Sequence, residues 1–191
     1  MSYIYIKELP NLVKTGKVRM AVLDEAVRRT LALKYDLGLF DNPFQYGNVE
    51  TEKKVILSKE NRDAALDIAK KSIVLLQNSQ NILPLSKDVK TIALIGALGE
   101  DKGEHNGTWS FFGEAKDVVS IAEGIRSKVS KETKILTARG ADFYSTDKSG
   151  FAEAKKIAEQ ADVIILAVGE SAVMNGEAAS RSDIRLPAAQ E

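Results

Sequence analysis

Residues 162–169 have the sequence DVIILAVG, the most strongly apolar run of its length in the chain. Valine, isoleucine and leucine predominate in it, and β-branched residues favour extended backbone. Gly169 ends the run, and glycine is a common residue at the end of a strand. We therefore predict that this segment is the strongest strand of the chain, and that it is the third of three.

The other two predicted strands lie upstream. Residues 91–96 have the sequence TIALIG, a short apolar run typical of a strand that is covered on both faces, and residues 134–138 have the sequence KILTA. Apolar residues at helical spacing separate the three strands, in two sets: Val118, Ala122, Ile125 and Val129, then Phe151, Ala154, Ile157 and Ala158. Strand–helix alternation predicts crossover connections and a mostly parallel sheet, so the fold class is α/β. Three strands are few for such a sheet, so we expect it to continue beyond Glu191.

Upstream of these strands the pattern predicts helices and turns only. A helix is predicted over Met20–Tyr35, and Gly38 suits the left-handed position that follows a helix. Ser58 is predicted to cap a further helix that buries one apolar face, formed by Ala65, Ile68, Ala69, Ile73 and Leu76. We therefore divide the chain into residues 1–47, a polar linker at 48–57, and an α/β domain at 58–191.

Composition excludes several classes of function. Lysine plus arginine and aspartate plus glutamate number 27 each, so bulk charge favours neither nucleic acid nor a membrane surface as a partner. The chain has no cysteine, which excludes disulfides and thiolate metal sites, and its one histidine is His105. No apolar run approaches the roughly 20 residues of a membrane span, and residues 1–10 lack the pattern of a signal peptide. We expect no metal and no cofactor.

Two long loops follow predicted strands, at 97–117 and 170–185, and ligands bind at the carboxyl ends of such strands. The first loop holds Trp109 between two glycines and near two phenylalanines, a composition that suits the apolar face of a sugar ring. Trp109 fits the edge of the hydrophobic core equally well. His105, in the same loop, is more typical of a surface histidine than of a catalytic base.

The second loop offers carboxylates. Glycosidic cleavage needs a carboxylic acid that protonates the leaving oxygen, and Glu177 could fill that role, with Arg181 positioned to contact sugar hydroxyls or to orient a carboxylate. Spacing alone favours a solvated glutamate at 177, and the same holds for Glu170 and Asp183. A phosphate-binding loop is also conceivable after residue 96, but neither G-x-G-x-x-G nor G-x-x-x-x-G-K-[ST] is present.

Ordered motifs along nearly the whole chain resemble glycoside hydrolase family 3, in its bacterial β-glucosidase branch. The motifs are LPNLVKTGKV at 9–18, LDEAVRR at 23–29, KYDLGLF at 34–40, SIVLLQN at 72–78, LPL at 83–85, GTWS at 107–110, AVGE at 167–170, GEAASR at 176–181 and LP at 186–187. The resemblance implies the helical end of a (β/α) barrel, followed by part of a three-layer α/β sandwich with a mostly parallel sheet.

The resemblance also implies a function. Members of this family hydrolyse terminal β-D-glucosyl residues with retention, by means of a barrel aspartate as nucleophile and a glutamate from the second domain as general acid/base. Glu177 matches that glutamate, Trp109 is similar to a tryptophan that walls the leaving-sugar site, and Arg181 and Asp183 would support the loop. The nucleophile motif is absent, and the two carboxyl groups of a retaining enzyme must lie about 5–5.5 Å apart. We therefore expect a piece of a β-glucosidase that is inactive alone.

Further expectations and alternatives follow from the same residues. The expected partners are a β-glucoside or oligosaccharide and the missing barrel, and the resemblance implies a periplasmic or secreted parent enzyme. Leu23, Val27 and Leu31, without a barrel to cover them, could drive self-association. Two other functions stay open: a stand-alone sugar-binding or scaffold module, and a flavodoxin-like nucleotide-binding protein.

Overall fold

The computed structural model describes residues 2–191, and the chain divides into two compact units. The first unit ends at Leu76, and the second runs from Gln77 to Glu191. The first unit contains four helices: α1 (Ser2–Lys14), α2 (Met20–Asp36), α3 (Val49–Val55) and α4 (Lys59–Ser72). The domain limits at residues 47 and 57 stay predictions. No helix in the described part of the chain is long and apolar enough to cross a membrane.

The end of α2 follows its local sequence. The Leu39 amide donates to the Lys34 carbonyl and the Gly38 amide donates to the Tyr35 carbonyl, and Gly38 has φ 65°. This pair of bonds is the Schellman motif, in which a left-handed residue lets the last carbonyls of a helix find partners. The predicted helix and its glycine terminator are confirmed.

The predicted burial along α4 is wrong, although its cap is confirmed. The Ser58 hydroxyl accepts the Asn61 amide at 3.3 Å, as an N-cap does. The helix ends at Ser72, and all five apolar residues assigned to a buried face are exposed: Ala65, Ile68, Ala69, Ile73 and Leu76. Periodicity specifies which residues share a face, but burial needs a partner, and no side chain in residues 3–76 is buried.

The second unit is built on a parallel sheet of three strands: β1 (Thr91–Ile95), β2 (Lys134–Ala138) and β3 (Val163–Leu166). The spatial order is β2-β1-β3, with Leu94 opposite both Thr137 and Ile165. The central strand β1 is buried on both faces, at Ile92, Ala93 and Leu94. All three predicted strands are confirmed, and so is their parallel arrangement. The prediction that the third is the strongest is wrong, because β3 has four residues against five in β1 and β2 and ends at Leu166, before the predicted end at Gly169.

Helices cover the two faces of this sheet. Ala122 of α5 (Ile121–Arg126) packs with Leu94 and Ala167 on one face. On the other face Ala154 of α6 (Phe151–Ala158) lies beside Ile95, and α6 contacts β2 and β1. Side chains alternate along a strand, so residues 94 and 95 point to opposite layers. The predicted α/β fold with helices on both sides of a parallel sheet is confirmed.

Two details differ from the sequence predictions. The helix α5 is short. A capping box between Ser120 and Glu123 starts it at Ile121, after Val118, and it ends at Arg126, before Val129, so both valines assigned to its buried face lie outside it. The strand β3 is an edge strand in the described residues. Because α6 packs over β2 and β1, Ile164 and Leu166 stay 51% and 63% exposed.

Candidate active site

The two long loops leave the sheet at its topological switch point. The chain passes from β1 to β2 on one side and returns to β3 on the other, so 97–117 and 170–185 follow adjacent strands. Gly96, with φ 131°, lets the strand ends approach closely: a Cβ atom there would lie 2.1 Å from the Ala167 oxygen. Ligands of open α/β sheets bind at this place.

Polar contacts join the two loops directly. The Glu104 carboxylate accepts the Ala172 amide at 2.5 Å. The Thr108 hydroxyl lies within hydrogen-bonding distance of two carbonyl oxygens, those of Ala172 and of Asn175, the latter at 2.8 Å. Next along the loop, Gly176 packs against Thr108, since a Cβ atom at 176 would lie 2.6 Å from its methyl carbon. The predicted site residues Trp109 and Glu177 are the neighbours of this contact.

Glu177 lies at the tip of a tight turn. The Ala179 amide donates to the Gly176 carbonyl at 3.2 Å, and Ala178 has φ 60°, as the third residue of a type II turn does. The Glu177 side chain is exposed, and within residues 2–191 it makes no ion pair and no hydrogen bond. It therefore lies neither inside a helix nor in a salt bridge, two placements that would exclude a proton donor.

The other two carboxylates of this loop are both paired. The Asn175 amide and the Arg181 guanidinium, at 3.0 and 2.5 Å, hold the pKa of the Glu170 carboxyl below its ordinary value. Hydrogen bonds from Arg185 hold the pKa of Asp183 far below its ordinary value. Arg181 also donates to the Arg185 carbonyl at 3.0 Å, so its guanidinium braces the loop. Substrate binding by Arg181 stays a prediction.

The aromatic residues of the first loop face solvent. Trp109 is 70% exposed, and Phe111 and Phe112 are more exposed still, with their rings 4.3 Å apart, edge to face. Trp109 thus does not seal the edge of the core in the described residues, and its role in binding a sugar stays a prediction. The His105 ring lies 2.6 Å from the Asp101 carbonyl oxygen, a local contact typical of a structural histidine.

Comparison with known proteins decides the family. Residues 73–191, more than half of the chain, match the glycosyl hydrolase family 3 C-terminal domain. The chain belongs to glycoside hydrolase family 3. This finding confirms the family that the ordered motifs resembled.

Individual family 3 proteins align over almost the whole chain. It is 37% identical to a periplasmic β-glucosidase of Salmonella typhimurium over 97% of its own length and 27% of that protein's. A β-xylosidase of Formosa agariphila is 36% identical over 96% of this chain and 26% of its own. The crystal structure of a Listeria innocua β-glucosidase in complex with glucose is 37% identical, with a TM-score of 0.82 over 97% of this chain and 24% of the other. The chain spans about a quarter of the length of these relatives.

Several residues that connect the two loops of the candidate site were missed at the sequence level. Glu104, Thr108 and Asn175 form the contacts between and within the loops, and Tyr144 reaches the fully buried Ser171 hydroxyl. Gln190 exchanges two amide hydrogen bonds of 2.9 Å with the backbone of Gly169. Only Gly176 carried a signal, because a glycine beside a candidate catalytic residue indicates a close approach.

In the part of the chain that the structure describes, no three histidine, aspartate or glutamate side chains are grouped to hold an ion. A cavity of about 420 Å³ at the carboxyl ends of β1 and β2 is lined by three carboxylates, of Glu100, Asp101 and Glu153, and by Arg139. Arg139 is itself paired with Asp142 at 2.9 Å. Glu100 is paired as well, with Arg126 at 3.1 Å. The finding that counts against the flavodoxin-like alternative is the family match over residues 73–191.

Proposed function

We propose that this chain supplies the general acid/base of a retaining β-glucosidase, Glu177, to a barrel domain that carries the nucleophile. One observation carries the proposal: of the three carboxylates in the loop after β3, only Glu177 is unpaired, at the tip of a turn at the switch point. Hydrogen bonds from Asn175 and Arg181 favour the ionised form of Glu170, and those from Arg185 favour the ionised form of Asp183, so both are poor proton donors. A general acid must be free to hold a proton near neutral pH.

The reaction then has two steps. The Glu177 carboxylic acid gives its proton to the glycosidic oxygen while a barrel carboxylate attacks the anomeric carbon, and the aglycone leaves as an alcohol. The Glu177 carboxylate then takes a proton from water, and the hydroxide displaces the barrel carboxylate and releases the sugar. A barrel close to Glu177 would exclude water and add negative charge, and both effects raise a carboxyl pKa.

Trp109 supports this assignment as the wall for the leaving group. Its indole is exposed, and the preceding residue, Thr108, contacts the turn that carries Glu177. An aromatic face beside a proton donor suits a pyranose ring that departs after protonation. We assign β-glucosides as the substrate class because family 3 relatives named β-glucosidases align over 97% of the chain. The relatives named β-xylosidases make β-xylosides the competing class.

Reconstitution tests the proposal. The chain is mixed with a separately produced barrel domain of a family 3 β-glucosidase, and hydrolysis of 4-nitrophenyl β-D-glucoside and β-D-xyloside is followed. We expect neither part to be active alone, the mixture to release 4-nitrophenol preferentially from the glucoside, and Glu177→Gln to lower that rate by about 10²-fold or more.

A matched carboxylate separates this role from a general charge effect. Glu132 is exposed in the turn that precedes β2, at the opposite edge of the sheet, so Glu132→Gln should keep full activity. Equal rates for Glu177→Gln and the unchanged chain would contradict the assignment. Turnover by the chain alone would contradict its inactivity. Titration calorimetry with glucose and cellobiose tests the sugar-binding module, which would bind them without the barrel.

The first unit supplies the proposed contact with the barrel. Val27 and Leu31 of α2 are 47% and 45% exposed, and Leu23 is half-buried. We propose that the barrel covers this stripe, and that without the barrel the same stripe causes self-association. Sedimentation velocity should then show dimers or larger species that Leu31→Glu converts to monomer, whereas a monomer before the substitution would contradict self-association.

A further inference from the structure

The two loops of the site meet at one side chain. Thr108 lies 64 residues before Ala172 and 67 before Asn175, yet its hydroxyl is within hydrogen-bonding distance of both carbonyl oxygens. The Ala172 peptide is held from its other side as well, because its amide donates to Glu104 at 2.5 Å. The first loop therefore holds the start of the second loop through both the amide and the carbonyl group of Ala172.

The methyl group of Thr108 makes a second contact, on the turn itself. A Cβ atom at position 176 would lie 2.6 Å from that methyl carbon and 3.0 Å from the Thr108 Cβ, and Gly176 has φ 106°. No other residue type fits here without moving the loops apart, because an L side chain would be strained and would clash. The hydroxyl thus fixes where the second loop starts, and the methyl fixes where its turn lies.

This geometry couples two residues by covalent adjacency. Trp109 follows Thr108 in the chain, and Glu177 follows Gly176. We propose that Thr108 is a positioning residue that sets the separation between Trp109 and Glu177, so that the leaving-group wall and the proton donor move as one unit. The catalytic meaning of this coupling rests on the proposed function, whereas the coupling itself does not.

The composition of the chain allows a direct measurement of that separation. Trp109 is the only tryptophan, and the chain has no cysteine. Glu177→Cys therefore gives a single attachment point for a nitroxide, which quenches indole fluorescence at short range. The same label at Glu132→Cys, at the opposite edge of the sheet, gives the baseline without quenching. We expect strong quenching of Trp109 by the label at 177 and none by the label at 132.

Two substitutions at position 108 then test the positioning role. Thr108→Val keeps the shape but removes the hydroxyl, and we expect quenching by the label at 177 to fall toward the baseline, with an unchanged far-ultraviolet circular dichroism spectrum. Thr108→Ser keeps the hydroxyl and should keep most of the quenching. The proposal is overturned if Thr108→Val quenches as strongly as the parent, or if the parent shows no more quenching at 177 than at 132.

The dependence of the hydrolysis rate on the leaving group, in the reconstituted enzyme, is a second test. A merely structural role of Thr108 would not change this dependence. A misplacement of the proton donor by about 1 Å costs on the order of 10²-fold in rate. Only a step that needs its proton is slowed. Thr108→Val should slow hydrolysis of an alkyl β-glucoside by about 10²-fold and leave the first, glycosyl-transfer step on 2,4-dinitrophenyl β-glucoside nearly unchanged. Equal losses on both would overturn the proposal. If quenching responds as expected but Glu177→Gln is fully active, the proposed function fails and the coupling stands.

Discussion

The structure of each of the two units depends on a different kind of contact within that unit. Residues 3–76 form four helices through local signals, such as the Ser58 cap and the Gly38 terminator, and none of their side chains is buried. The second unit depends on pairs far apart in sequence, for example Leu94 with Thr137 and Ile165, and it buries a core around β1. Helical periodicity is therefore present in both units, but only the second supplies the partner that turns periodicity into burial.

Truncation of one leucine in each unit should give the largest contrast. Leu94 is 1% exposed and Leu31 is 45% exposed. We expect Leu94→Ala to lower the free energy of unfolding of the second unit by about 2–5 kcal/mol, since it leaves a cavity. Leu31→Ala should change stability by no more than about 0.5 kcal/mol. Urea unfolding followed by amide exchange, at β1 for Leu94→Ala and at α2 for Leu31→Ala, measures the two losses, and equal losses would contradict the contrast.

Glycine substitutions sharpen the same comparison within the second unit. Gly96 has φ 131°, and a Cβ atom there meets the Ala167 oxygen. We expect Gly96→Ala to cost about 1–3 kcal/mol in backbone strain, with the overlap in addition. At Gly124, inside α5, a Cβ atom meets nothing within 4 Å, so alanine should stabilise the unit by about 0.5–1 kcal/mol. Thermal unfolding of both variants tests this. A destabilised Gly124→Ala would show that alanine at this position does not stabilise α5.

Removal of a helix cap should destabilise the whole second unit but only one helix of the first. Ser120 is 3% exposed and caps α5, which packs on the core, so Ser120→Ala should cost about 1 kcal/mol in unfolding of the second unit. Ser58 caps α4, which buries nothing in the described residues. Ser58→Ala should therefore lower helicity and amide protection in α4 alone. A fall in protection at β1 in Ser58→Ala would mean that the units are energetically coupled.

Acidification should loosen the loop after β3 before it affects the sheet. The pKa of Glu170 is lowered in the folded chain, so its pairing stabilises the loop above its ordinary pKa and is lost as pH falls through the lower, folded value. Asp183 is held far lower by Arg185 and titrates later. We expect amide exchange in 170–185 to rise in acid while β1 stays protected. In Glu170→Gln this first rise should be absent, and its persistence would assign the transition to another group.

The sequence predicted the positions of the strands and the turn-rich loop of Glu177 well, because these depend on short-range signals. Residues 91–95, 134–138 and 163–166 carry apolar runs that no polar residue interrupts for long. The contacts of Glu104 and Thr108 with the second loop could not be predicted, since they join residues 64–68 positions apart and a threonine hydroxyl carries no signature of its partner. The exposed face of α4 was predicted as buried because apolar residues at helical spacing look the same in sequence whether or not a partner covers them.

The sequence by itself determined the three strands, the end of α2 before Gly38 and the cap of α4 at Ser58, the family to which the chain belongs, and Glu177 as the candidate proton donor. Backbone conformation and capping are set by a few neighbouring residues, so strands and helix caps can be predicted without knowledge of the fold. Only the tertiary structure decided that, in the described residues, β1 is central and β3 is at the edge, and that Glu170 and Asp183 are paired with arginines while Glu177 is not. Those outcomes depend on which distant groups meet, and the free energy of a pairing is defined only once the chain has brought both partners together.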